Sequence, residues 1–82
     1  MTSKEILELI YGFRDDLRDQ ENDIAGEIAY NKGLVELNIK HNKYTGDVED
    51  RISKLEAKKD TTVSIIDDLN EVLDEIEKRV KQ

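Results

Sequence analysis

The sequence predicts an all-α protein: an antiparallel, coiled-coil-like helical hairpin that assembles into a homo-oligomeric helix bundle. Three observations point there. The 82 residues are 40% charged and 5% aromatic and include no Pro, a composition typical of long helices. Apolar residues recur every third or fourth position over most of the chain, which a disordered acidic chain would not do. A single clear turn signal, Thr45-Gly46-Asp47, divides the pattern.

The first segment opens on Thr2 and Glu5, which have the spacing of a capping box. A helix is expected from about residue 3 to 44, with an apolar series Ile6, Ile10, Phe13, Leu17, Ile24, Ile28, Val35 and Ile39. A second stripe, Tyr30, Leu34, Leu37, His41 and Tyr44, makes the later half of this helix apolar on two sides. Gly12, Gly26 and Gly33 fall inside it, and each costs about 1 kcal/mol relative to Ala. Gly12 leaves open a short separate N-terminal helix, and Asn31-Lys32-Gly33 leaves open an early C-cap. Gly26, Ala29 and Gly33 share one face that would permit a close helix approach.

Gly46 suits a left-handed C-cap, and Asp47 suits the N-cap of the next helix. The turn is therefore placed at 45–47. From Val48 the series Val48, Ile52, Leu55, Lys59, Thr62, Ile66, Leu69, Leu73, Ile76, Val80 alternates steps of four and three without a slip, which is a heptad seam. Ile65 and Val72 flank it and widen the stripe. A helix from about 48 to 80 follows, and the weakest stretch is Lys58 to Thr62. A turn at 45–47 makes facing residue numbers sum to about 92, since an antiparallel pair shares one rise per residue. Residues before about 11 then have no counterpart.

That consequence leads to the interaction surfaces. Ile6, Leu7, Leu9, Ile10, Tyr11 and Phe13 form the densest apolar cluster. With Leu34, Leu37 and Tyr44 they are the expected interface residues, because a lone hairpin has little core and no Cys is available as a staple. A dimer forming a four-helix bundle is the default. Tyr30, Asn31, Lys59 and Thr62 form a polar belt. It sets register on one view, and on another it lines a pocket between subunits for an anionic, nucleotide-like ligand.

Charge is uneven. Residues 15–27 carry Asp15, Asp16, Asp19, Glu21, Asp23 and Glu27 against Arg18, and residues 60–77 carry seven acids and no cation. The net charge of −7 thus conceals an acidic half. Asp67, Asp68, Glu71, Asp74 and Glu75 lie on outer heptad positions, either as a solvated face or as a docking surface for another, basic protein. A DNA mimic is the extreme form of the second. The acidic balance argues against binding nucleic acid directly or coating an anionic membrane.

Chemistry is sparse. There is one His, no Cys, and Ser only at 3, 53 and 64. No metal, phosphate-loop or nucleophile motif is present, and His41 lies on the second apolar stripe. A non-enzymatic role without cofactor or metal is expected. No apolar run is long enough for a membrane span or a signal peptide core, which points to a cytoplasmic chain. The combined expectation is a small regulator, inhibitor or assembly adaptor that binds itself and another protein.

Overall fold

A computed structural model describes residues 1–80 and forms two long helices, α1 (Ser3–Lys40) and α2 (Gly46–Val80), packed along each other as a hairpin. The molecule measures 63 × 16 × 14 Å. Helix α1 begins with a reciprocal capping box. The Glu5 amide donates to the Thr2 hydroxyl at 3.2 Å, and the Thr2 amide donates to the Glu5 carboxylate at 3.3 Å. It then runs 38 residues without interruption, so neither Gly12 nor Asn31-Lys32-Gly33 ends a helix. Helix α2 likewise passes through Lys58 to Thr62 unbroken. There Thr61 and Thr62 donate their hydroxyls to the carbonyls of Ala57 and Lys58, so both are satisfied within their own helix.

The seam of α2 is the predicted heptad series. Nine of its positions, from Val48 to Ile76, are buried or half-buried, with Leu73 deepest at 2% exposure. The seam of α1 differs from the predicted one. It follows Leu7, Ile10, Arg14, Leu17, Glu21, Ile24, Ile28, Asn31, Val35 and Asn38, all buried or half-buried. Their steps alternate three and four as strictly as those of α2. Ile6, Phe13 and Ile39 are exposed instead. The geometry of the partner seam decides this choice: a heptad row on α2 can be covered only by a heptad row on α1, even one holding four polar residues.

The register also departs from the expected sum of 92. Arg14 donates to the Asn70 side chain at 3.1 Å, and Lys32 meets Glu56 at 3.7 Å. Facing residue numbers therefore sum to about 84 to 88. The cause is the link. Helix α1 stops at Lys40, and the chain reverses at Asn42, which takes the left-handed conformation at φ 57°. The Asn42 amide donates to the Ile39 carbonyl and the Lys43 amide to the Asn38 carbonyl at 2.7 Å. These are the two bonds of a Schellman cap, with Asn in the place usually held by Gly. Gly46 has no positive φ and is the first residue of α2, and the Glu49 amide donates back to the Thr45 carbonyl. A Cβ at Gly46 would meet the outer end of the Tyr44 ring, which is exposed and free to turn aside.

Reversal near residue 42 gives the N-terminal segment a counterpart after all. Ser3 and Ile6 share a groove with Ile76, Arg79 and Val80. Leu7 is buried in the hairpin core, and Ile10 and Tyr11 are half-buried.

Candidate protein-interaction face

The two helices leave one broad side of the hairpin carrying most of the exposed large apolar side chains, set among charged ones. Three grooves between α1 and α2 open on it. Ser3 and Ile6 line one with Ile76, Arg79 and Val80; Gln20, Asp23, Ile24 and Glu27 line the next with Lys58; Glu27, Tyr30 and Asn31 line the third with Arg51, Lys54 and Leu55. Ile6, Gln20 and Glu27 are separated by multiples of seven, as are Arg51, Lys58 and Arg79. Each set is therefore one column of a heptad helix. Phe13 and Leu34 complete the α1 column, and Ile65 and Val72 complete the α2 column.

 Ile65 and Val72 each stand one or two heptads from Arg79 and Lys58, so they share that side. A neighbouring α1 column, identified by Asp23 and Tyr30 in the same grooves, adds Leu9 and Leu37.

The exposure of these side chains is high for their type. Tyr30 is 68% exposed, Leu9 62%, Phe13 55% and Leu37 51%, and Ile6, Ile65 and Val72 are also exposed. Ile65 and Val72 were expected to widen the buried stripe. They lie outside it because α1 covers only the seam itself. The opposite side holds the polar pairs across the hairpin, Lys32 with Glu56 and Arg14 with Asn70, together with exposed Ile39, one heptad from Lys32.

The expected interface residues divide accordingly. Ile6, Leu9, Phe13 and Leu37 are exposed and Leu34 is half-buried on the apolar side, whereas Leu7 belongs to the core. Tyr44 is 80% exposed in the link. Asp67, Asp68, Glu71, Asp74 and Glu75 are all exposed on α2. Asp68 and Glu75 stand in one heptad column with Lys54, at the edge of the apolar side.

Within a single chain, the groove that holds Tyr30 and Asn31 does not take in Lys59 and Thr62. Tyr30 and Asn31 lie beside Arg51, Lys54 and Leu55, and neither Lys59 nor Thr62 lines that groove. Asn31 is buried, and its amide donates to the Glu27 carbonyl of its own helix at 2.7 Å. Thr62 is buried and bonded to Lys58 in the same way. The shift in register explains the separation, because the belt was assembled on facing numbers that sum to 92.

Arg14 is the residue that pattern reading missed. It occupies a seam position with its side chain 20% exposed, 4.9 Å from the centroid of the Tyr11 ring and 3.6 Å from the Asp15 carboxylate. Its bond to Asn70 crosses the hairpin and ties the two helices in one register. The signal was available: Arg14 stands four after Ile10 and three before Leu17.

Among the described residues, no group of three His, Asp or Glu side chains converges to hold a metal ion. No helix among them is long and apolar enough to cross a membrane. Compared with family models, with curated proteins and with solved structures, the chain matches none.

Proposed function

We propose that this chain is a non-enzymatic, self-associating interaction protein, a small regulator, inhibitor or assembly adaptor that acts by binding protein. The observation that carries the proposal is the apolar side of the hairpin. Ile6, Leu9, Phe13, Tyr30, Leu37, Ile65 and Val72 are exposed together on a molecule whose own core is a single seam. Exposed patches of this kind mark interaction sites, and small scaffolds with little core commonly gain stability by association. The acidic outer side of α2, with Asp67, Glu71 and Asp74 away from the apolar side, is the surface left for a second, basic partner once that side is covered.

The alternative, an oligomeric binder of an anionic, nucleotide-like ligand, needs a pocket between subunits and has less to support it, since within one chain Tyr30 and Asn31 line a groove with Arg51, Lys54 and Leu55 rather than with Lys59 and Thr62. Sedimentation equilibrium tests the proposal directly. An assembly larger than the 9.5 kDa chain is expected at micromolar concentration. A monomer whose mass is unchanged over a wide concentration range, and which captures no protein from a host extract, would overturn it. Neutralising Asp67, Asp68, Glu71 and Asp74 tests the second surface, with weaker capture and a shallower salt dependence expected.

A further inference from the structure

The exposed apolar side of α1 is a second heptad row, and it is close to palindromic. Its steps alternate three and four through Ile6, Leu9, Phe13, Asp16, Gln20, Asp23, Glu27, Tyr30, Leu34 and Leu37. Three apolar residues begin it, four polar ones fill the middle, and three apolar ones end it. Such a row fits a reversed copy of itself. From this symmetry we propose that the occupant of the apolar side is a second copy of the chain, laid antiparallel over the full length of the hairpin. This rests on the self-association proposed above and specifies its geometry.

A two-fold axis across the middle of the hairpin would place Ile6 against Leu37 of the second copy, Leu9 against its Leu34, and Phe13 against its Tyr30. The same operation on α2 places Arg51 opposite Glu75 and Lys58 opposite Asp68. Charge supports this orientation over the alternative. On α2 the acidic stretch 60–77 lies mostly in the terminal half, while Arg51, Lys54 and Lys58 lie on the same side in the turn half. An antiparallel pair sets the acids of that α2 stretch against these three cations. A parallel pair gathers both copies' acidic stretches at one end, where they repel. The middle of the α1 row is acidic in either copy, and Lys58, which shares the groove of Asp23 and Glu27, supplies the counter-charge there.

Area supports full overlap. The broad side spans 63 × 16 Å, roughly 1,000 Å² per copy, against about 800 Å² per partner in a stable interface. Half overlap would fall below that value.

The test uses the full chain, which contains no Cys. Leu9→Cys and Leu34→Cys variants are prepared separately, mixed, and equilibrated in a thiol–disulfide buffer. The mixed Leu9–Leu34 disulfide should dominate over both symmetric ones. Sedimentation equilibrium of the unmodified chain should give twice 9.5 kDa, and Phe13→Asp, at an exposed position, should return the single-chain mass with helicity retained. A dimer that yields mainly symmetric Leu9–Leu9 disulfides would overturn the antiparallel arrangement while leaving self-association standing. A monomeric unmodified chain would overturn both. If Phe13→Asp loses its helicity, the disulfide pattern alone decides.

Discussion

Replacing Gly12, Gly26 and Gly33 together by Ala should stabilise the protein substantially. All three lie inside α1, and a Cβ built at each meets no atom within 4 Å. No positive φ requires glycine at any of them. Each substitution should recover about 1 kcal/mol of helix propensity. The nearest pair, Gly26 and Gly33, is seven residues apart, roughly 10 Å along the helix, so the effects should add to about 3 kcal/mol. For a chain of this size the whole stability is expected to be only about 4 to 12 kcal/mol, and 1 kcal/mol moves Tm by roughly 4–8 °C. A rise of roughly 10–25 °C is expected in a thermal melt followed by far-ultraviolet circular dichroism at fixed protein concentration. Solution mass should not change, because the three glycines share the column of α1 directly opposite the seam. A lower Tm or an altered mass would refute the reasoning. It would mean that another helix approaches this outer column so closely that a methyl group is excluded. Gly46→Ala serves as a contrast and should change Tm little, because the exposed Tyr44 ring can turn aside at small cost and Gly46 stands at the helix start, outside its interior.

Three further outcomes are expected. Leu73→Ala removes the most deeply buried side chain and should cost about 2–5 kcal/mol in urea unfolding, since large-to-small changes lose both transfer energy and packing. A double-mutant cycle on Arg14→Ala and Asn70→Ala should return a coupling of about 1 kcal/mol; a zero coupling would show that the bond across the hairpin does not hold the register. Asn42→Gly should leave stability equal or raised by up to about 1 kcal/mol, because glycine occupies the left-handed region without strain, whereas Asn42→Val should lower the melting temperature.

Helix α2 was legible residue by residue because its seam is apolar at eight of ten positions. Helix α1 was legible as a helix but not by face. Arg14, Glu21, Asn31 and Asn38 interrupt its seam, while Ile6 and Phe13 flank it on one side and Ile39 on the other. Hydrophobicity alone finds Ile10, Leu17, Ile24, Ile28 and Val35 and adds the flanking three; only pairing with α2 replaces those three by polar seam residues. The register failed for a local reason. Gly46 is the stronger left-handed signal in general, yet Asn42 can take that conformation too, and moving the reversal by about four residues shifts every cross-helix pair by about eight. The candidate face was partly legible: Ile6, Leu9, Phe13 and Leu37 were singled out as interface residues. The contribution of Ile65 and Val72 was hidden, because which side of a helix a flanking residue occupies depends on the neighbouring helix.

The slender shape of the hairpin has a bearing on every measurement of its size. A radius of gyration of 18.6 Å is that of a compact globule of roughly 275 residues, more than three times the length of this chain. Gel filtration calibrated with globular standards would therefore report a spuriously large particle even for a single chain. Hydrodynamic drag and true molar mass must be separated, and rotational diffusion, much slower about the short axes than about the long one, offers an independent check. Two hairpins laid over their whole length thicken the rod without lengthening it, so the dimer would tumble less anisotropically than the monomer from which it forms.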